Sequence, residues 1–412
     1  MNVLILGNGG REHALAWKFS SSRRLTGLFI APGNAGTETL GTNLPQVDPL
    51  QGDQVVDACR KHQIDLVFVG PETPLEAGVV DALQKAGIAA IGPDQRSAQL
   101  ESSKAFSKDF MVRNKLPTAK AREFDTVGKF EAYIKANPGK LVVKKSGLAA
   151  GKGVLETDDP SQALAFGKEI LQSDTLLVEE FLTGFEVSVF VLSDGKDFVV
   201  LPPTADFKKA KEDDKGPNTG GMGAICPVPS VGPELWNRIH TEVVLPTMEA
   251  LNRDKLNYKG VVFIGVMVTE QGPKILEYNV RFGDPETQVL LPLILCDFGD
   301  LVQAMIDGNL AHVRLELSTD VALGVVVAAP GYPGPYPKGI EVSALPTPPS
   351  TTFHAGTQLA EGKLVTTGGR CFTAVGTGET FEEARHRAYQ RAAAVQFEGA
   401  WYRKDIGTKF LG

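Results

Sequence analysis

KILEYNVRFGDPE, residues 274–286, decides how this 412-residue chain folds and what it can hold. On a strand, alternate residues share a face. Glu277, Asn279 and Arg281 are therefore expected on one side, with Leu276, Tyr278 and Val280 on the other. A carboxylate and an amide oxygen two residues apart suit a hard cation. Mg2+ takes oxygen ligands and usually completes its shell with water and substrate phosphates. Arg281 beside such an ion would stabilise the charge of a phosphoryl group in transfer. Asp284 follows in the turn. Taken alone, Glu-x-Asn-x-Arg is ordinarily a solvated strand face, so the neighbouring segments carry the weight.

Upstream, TLLVEEFLTGFE (175–186) is an apolar strand running into paired acids and a turn. Backbone groups of Glu180 and Leu182 are placed to pair with an adenine edge, and Glu186 to reach ribose hydroxyls. KGPNTGGMGA (215–224) reads as a cradle of backbone amides for a small carboxylate or oxyanion. KKSGLAAGKGV (144–154) fails as a Walker A loop. Three residues, not four, separate Gly147 from Gly151, and Gly153 stands where Ser or Thr is required. It lies between two strand-like segments, so it is expected to be a hairpin flap. The amides of 149–153 and the charge of Lys152 would hold a triphosphate.

The first hundred residues alternate short apolar strands, NVLILG (2–7), LFIA (28–31), DLVFVG (65–70) and IAAIG (88–92), with helical stretches. That pattern predicts an open parallel α/β sheet, with ligands at the strand C-terminal ends. GNGGRE after the first strand lacks the third glycine of a dinucleotide fingerprint, since Glu12 stands there. The second strand ends in Ala31, where an acid would hold a ribose. A nicotinamide or flavin dehydrogenase is disfavoured. Gly9 and Gly10 still offer N–H groups at a helix start, and Arg11 a donor fork, which suits a phosphate. A tight turn with a surface arginine is the alternative.

SSKAFSKDFMVRNKLP (102–117) reads as a helix closed by Pro117, and 118–190 as an α+β block. Hairpins are expected at SDGKD and TEQGPK. From about 322 a β-rich unit follows. Its hairpin KLVTTGGRCFTAV (363–375) has a Gly-Gly turn, and a helix opens at Thr380 with Glu383 completing a capping box. With 42% apolar and 22% charged residues the chain has soluble-globular composition, and its length suits two to four domains. The net charge of −7 argues against general nucleic-acid or membrane-surface binding. No apolar run reaches the roughly 20 residues of a membrane span. The N-terminal stretch lacks the basic start of a signal peptide. Four scattered cysteines without CxxC suit reduced thiols in a cytoplasmic protein.

In order along the chain, LILGNGGREHALAWK, APGNAGT, VGPETPL, QLESSKAFSKDFM, GLAAGKGV, VEEFL, GPNTGGMGA, LEYNVRFGDPETQ, FHAGT, TTGGR and YRKDIG resemble the phosphoribosylamine–glycine ligase family of the ATP-grasp superfamily. The resemblance implies α/β and α+β architecture in three parts. These are an N-terminal open parallel α/β domain for phosphoribosylamine (1–101), an ATP-grasp domain (102–322, lid about 120–188) and a β-rich C-terminal domain (323–412). It implies ligation of glycine to 5-phospho-β-D-ribosylamine through glycyl phosphate, with ATP as co-substrate and Mg2+ or Mn2+ as cofactor. Lys104 and Lys144 would hold ATP phosphates under the flap Ala150, Gly151, Lys152 and Gly153. Glu179, Glu180, Phe181 and Leu182 would line the adenine, and Glu186 the ribose. Glu277 and Asn279 would hold the metal, while Arg281, Asp284 and Lys152 take part in the chemistry. Glycine or phosphoribosylamine would meet Gly9, Gly10, Arg11, Asn34, Glu72, Asp206, Lys208, Asn218, Thr219, Gly220, Gly221, Met222 and Gly223. Partners are small molecules only, neither nucleic acid nor membrane, and a monomer is expected.

The sequence departs from the family at Ala205 and Phe207, where Gln and His are usual around Asp206 and Lys208. It departs again at Lys145 and Phe185, and Ile264–Met267 offers no second metal carboxylate. The changes at 205–209 motivate an alternative, another ATP-grasp carboxylate–amine ligase with a different acid or amine. A nucleotide-binding regulator without catalysis is a third reading, against which intact Glu277, Asn279 and Arg281 speak.

Overall fold

NVLILG buries almost every side chain on both faces, as a central parallel strand must. In a computed structural model, which describes residues 1–148, 153–347 and 351–410, Asn2–Gly7 lies at the middle of a five-stranded parallel sheet. The order is Thr42–Asn43, Gly27–Pro32, Asn2–Gly7, Leu66–Val69, Ala89–Ile91. The two-residue strand at 42–43 is too short to leave an apolar signature, and sequence reasoning missed it. The C-terminal ends of the sheet present Gly7–Arg11, Ala31–Asn34 and Gly70–Glu72 to the rest of the molecule.

Two helices, not one, lead out of this sheet. Asp94 accepts the Ser97 N–H and starts Gln95–Ser102. Ser103 is extended, accepts the Phe106 N–H and starts Lys104–Arg113. The break sets Glu101 and Lys104 on neighbouring helix ends. The stretch expected to form the lid is a four-stranded antiparallel sheet, Ala121–Phe124, Leu176–Glu180, Leu141–Lys145, Val154–Thr157, backed by helices Val127–Ala136 and Pro160–Ile170. It has its own small core around Phe124, Phe130, Val143 and Val178. Strands Leu141–Lys145 and Val154–Thr157 pair as the arms of the expected hairpin, the Lys145 N–H donating to the Gly153 carbonyl at 2.8 Å. Ala150, Gly151 and Lys152 lie outside the described residues.

The central sheet runs Phe198–Val200, Phe185–Asp194, Lys259–Thr269, Gly272–Asn279, all antiparallel. Here the simple alternation expected of KILEYNV fails at one place. Gly265 faces Glu277 but Val266 faces Ile275, so Leu276 is the extra residue of a β-bulge. Ile275, not Leu276, joins Tyr278 and Val280 in the core. The bulge leaves Glu277 and Asn279 on the half-exposed face.

The last sheet joins two regions of sequence: Ala205–Asp206, Gly223–Cys226, Val321–Ala328, Arg370–Gly378, Thr352–His354. The expected hairpin 363–375 does not form. Lys363–Thr366 pairs instead with Thr357–Ala360, and the Gly-Gly segment carries the chain from one sheet to another. Helix Phe381–Ala394 packs on the five-stranded sheet. Thr380 accepts the Glu383 N–H, but the Glu383 carboxylate takes the Glu379 N–H, so only half of the capping box is present.

The N- and C-terminal parts meet through two histidines. The His354 N–H donates to His13 Nδ1 at 2.8 Å, with the rings 5.4 Å apart. Burial, and then the charge of His354, push the His13 pKa down to about 3; burial alone pushes His354 down to about 4. Both rings are therefore neutral in the native protein at pH values where the unfolded chain has taken up protons. This stability is full above the unfolded value near 6.5 and is lost as pH falls, by up to about 1.4 kcal/mol per pH unit for each histidine. Urea midpoints measured from pH 7 to pH 5 should fall, and less steeply in His13→Asn; parallel curves for the two proteins would refute the assignment.

Candidate active site

Glu277 sits among cations. Lys208 Nζ lies 4.0 Å from its carboxylate and 2.7 Å from that of Glu186. Burial tends to raise the Glu277 pKa, but Lys208, Lys144, Lys104 and Arg281 outweigh it and hold the carboxyl below its ordinary value. Lys104, at the first turn of its helix, reaches the Gly147 carbonyl at 3.4 Å. Its pKa is lowered, by burial first, with Glu277 opposing and Lys144 reinforcing. Glu277 thus feels four positive side chains, three of which also hold acids of their own: Glu186 for Lys208, Glu179 for Lys144, and Glu101 and Glu72 for Arg281. Among the described residues no group of three or more His, Cys, Asp or Glu could hold a metal by itself. Glu277 and Asn279 fit a divalent ion whose remaining oxygens come from substrate.

The lid strand is tied to this floor by a buried triad. Glu179 bonds Lys144 at 2.6 Å and Lys108 at 2.7 Å, and Lys144 also reaches the Leu276 carbonyl at 3.4 Å. Burial opposes the Glu179 charge, but Lys144 and then Lys108 keep its pKa low. Its side chain is therefore an ionic strut between the two lysines. Glu180 spends its N–H on the Lys120 carbonyl at 3.0 Å and its carboxylate on the Lys120 N–H at 2.9 Å. Phe181 and Leu182 remain half-buried in the turn, with Lys140 Nζ 3.5 Å above the Phe181 ring.

The GPNTGGMG segment is not an open amide cradle. The Thr219 N–H goes to the Lys208 carbonyl, Gly220 to the Tyr332 hydroxyl, Gly221 to the Thr219 hydroxyl and Met222 to the Phe207 carbonyl. Asn218 ends a strand on the half-exposed side, whereas Met222 is fully buried and Gly223 enters the shared sheet. Gly221 has φ +111°, and a Cβ there would lie 2.5 Å from Pro285 Cδ, so the loop seats directly on the Gly-Asp-Pro turn. Arg370 Nη1 fastens the two together, donating to the carbonyls of Gly220 (2.6 Å), Gly221 (3.3 Å) and Asp284 (2.7 Å). The Asp284 carboxylate accepts from Gln288 Nε2 at 2.9 Å. Burial works against its charge, but Arg370 and Arg11 keep its pKa low. Along 205–208 the side chains alternate: Ala205 and Phe207 are buried in the C-terminal core, while Asp206 and Lys208 are half-exposed on the other face. Phe207 packs against Phe410 and beneath Arg403 and Lys409.

At the mouth of the parallel sheet, the Gly9 N–H is taken by Glu12 at 2.6 Å. Arg11 is buried, bonding Glu12 at 2.5 Å and the Phe282 carbonyl at 2.9 Å, so it is no surface fork. Asn34 spends its amide on the carbonyls of Asn8, Gly9 and His354 and its oxygen on the N–H groups of Gly36 and Thr37. It pins the loop rather than offering itself to a ligand. Gly10 abuts Gln288, and Glu72 faces Arg281.

Three family models cover nearly the whole chain: Phosphoribosylglycinamide synthetase N domain (residues 1–101), ATP-grasp (A) domain (102–287) and C domain (322–409). The chain belongs to the phosphoribosylglycinamide synthetase family. It is 42% identical to a phosphoribosylamine–glycine ligase of Rhodopirellula baltica, over all of this chain and 98% of that one. A crystal structure of phosphoribosylamine–glycine ligase from Thermotoga maritima superposes with TM-score 0.85 at 35% identity, covering 99% of this chain and all of the other. The biotin carboxylase domain of Hydrogenobacter thermophilus 2-oxoglutarate carboxylase, in complex with MgADP and bicarbonate, shares the fold with TM-score 0.74 at 16% identity, over 97% of this chain and 91% of that one.

In this synthetase, three charged residues near the site were not among those singled out from the sequence. Lys108 lies within QLESSKAFSKDFM, but nothing in its spacing reports a partner seventy residues away. Glu101 lies at the end of the preceding helix and binds Arg281. Arg370, in TTGGR, comes from the far end of the chain. The triad is testable by a double-mutant cycle. Glu179→Gln should leave two buried ammonium groups unpaired and lower stability by about 3 kcal/mol. Lys108→Met in the same chain should recover part of that loss in urea unfolding, and strictly additive effects would show that the pair is uncoupled.

Proposed function

We propose that the chain performs the ligation of its family, joining glycine to 5-phospho-β-D-ribosylamine with ATP to give glycinamide ribonucleotide, ADP and phosphate in purine biosynthesis. The observation that carries this reading is the placing of Glu277, 4.0 Å from Lys208 and within the electrostatic reach of Lys144, Lys104 and Arg281, on the strand that also bears Asn279. It supports an ATP triphosphate held by Lys104, Lys144 and the flap 150–153, with Phe181, Leu182 and Glu186 on the nucleoside side. Glu277 and Asn279 would hold Mg2+ or Mn2+, which when bound supplies charge neutralisation on phosphate oxygens.

The chemistry follows from the weakness of a carboxylate as an electrophile. A glycine carboxylate oxygen takes the γ-phosphoryl group, ADP leaves, and the product is an acyl phosphate. The amine nitrogen then attacks the carbonyl carbon, the carbon–oxygen bond to phosphate breaks, and the nitrogen gives up a proton. Arg281 is assigned to the charge of the phosphoryl group in transfer. Asp206 and Lys208 are assigned to the glycine side, with the Gly220–Gly221 loop and Asp284 as its rigid wall. Gly9, Gly10 and Glu72 are assigned to phosphoribosylamine. The lid must keep water from the acyl phosphate. We assign residues 1–101, 102–322 and 323–412 to the three domains. Because all three contribute to one cleft within one chain, a monomer suffices, and we place it in the cytoplasm. No helix of the described residues is long and apolar enough to cross a membrane. Ala205 and Phe207 face the C-terminal core, so the departures there lend no support to a different acid or amine.

A coupled ADP-release assay with glycine, phosphoribosylamine and Mg2+ tests the reading. Glu277→Ala should cost about 10²–10³-fold or more in turnover while the protein stays folded at the assay temperature, with a lowered unfolding midpoint because nearby cations lose an acid. Undiminished turnover would refute the metal assignment.

A further inference from the structure

Arg281 is held by two acids of unequal grip. Glu101 is buried; one of its oxygens bonds Arg281 Nη2 at 2.6 Å and the other takes the Val280 N–H at 2.8 Å. It belongs to the same rigid corner as the strand it holds. Glu72 stands at the C-terminal edge of the parallel sheet, with its carboxylate 3.4 Å from Arg281 Nε and 29% of its side chain exposed. Among the described residues that nitrogen is shielded from solvent without a well-aligned hydrogen bond, so Glu72 holds it chiefly through charge at a long contact. Buried N–H donors of this kind are rare, and one on the arginine assigned to phosphoryl transfer marks a group whose partner is exchangeable.

We propose that Glu72 is a positioning residue shared between Arg281 and the amine substrate, so that arrival of phosphoribosylamine releases Arg281 Nε to the phosphoryl group. The proposal rests on the site assignment above. An amine or ribose hydroxyl donating to Glu72 competes for the carboxylate, while Glu101 keeps the guanidinium tethered as Nε turns to a new acceptor. Without the amine, Arg281 stays drawn toward the parallel sheet and phosphoryl transfer is slow. Glycyl phosphate then forms chiefly when its acceptor is present, instead of being hydrolysed by water to glycine and phosphate.

The test compares glycine-dependent ADP formation with and without phosphoribosylamine, and the ratio of ADP to glycinamide ribonucleotide. The wild-type protein should show strong stimulation and a ratio near one. Glu72→Gln, of the same shape but without charge, should reduce the stimulation about tenfold, a coupling of ordinary size. Its ADP should exceed its product, and Glu72→Asp should restore most of the coupling. A fall of both rates by the same factor, as a merely structural role would give, or an unchanged ratio overturns the proposal. Wild-type protein that makes no product from all three substrates overturns the site assignment with it.

Discussion

Like charges brought together are costly unless something answers them, and the cleft of this protein is organised by that requirement. Lys104, Lys144, Lys208 and Arg281 come from four separate elements and converge on Glu277. Their mutual repulsion is offset locally, each by a dedicated acid or carbonyl: Glu179 for Lys144, Glu186 for Lys208, Glu101 and Glu72 for Arg281, and the Gly147 carbonyl for Lys104. Several of these partners lie on other parts of the molecule: Glu179 on the strand Leu176–Glu180 and Glu72 at the edge of the parallel sheet. A triphosphate held there, as proposed, would exchange some of these contacts for charge-assisted bonds to phosphate.

The floor of the cleft is rigid for a different reason. Its backbone N–H groups at 219–222 are already bonded, and Arg370 crosses from the C-terminal sheet to take three carbonyls. Behind it, Arg403 is almost wholly enclosed. It bonds Asp405, Asp214 and the Lys209 carbonyl and lies over Phe207. The aromatic at 207 is therefore part of a clamp on the strand that presents Asp206 and Lys208.

The parallel sheet, the lid hairpin and the polar face of 277–281 were legible because each depends on local pattern: period-two burial, apolar runs or glycine placement. What stayed hidden depends on partners distant in sequence. The bulge at Leu276 is a register property of two strands and leaves no mark in either. The failed hairpin at 363–375 shows the limit of turn chemistry, since the glycines there connect two sheets. The expected amide cradle at 219–223 was a fair reading of composition, but only the fold reveals that Tyr332, Phe207 and Lys208 already satisfy those donors. Glu101 and Arg370 lay within recognisable motifs, yet their roles are set by what the tertiary structure brings to them.

One feature of the last sheet bears on modularity. Gly223–Cys226 lies between Ala205–Asp206 and Val321–Ala328, so a strand from the nucleotide-binding region is flanked by one from the carboxyl-terminal region. A chain ending before Val321 would present a bare strand edge of apolar residues, a template for intermolecular pairing. The two regions are thus joined by backbone pairing, and swapping the tail for that of a distant relative would have to preserve a ladder of strand bonds as well as a surface.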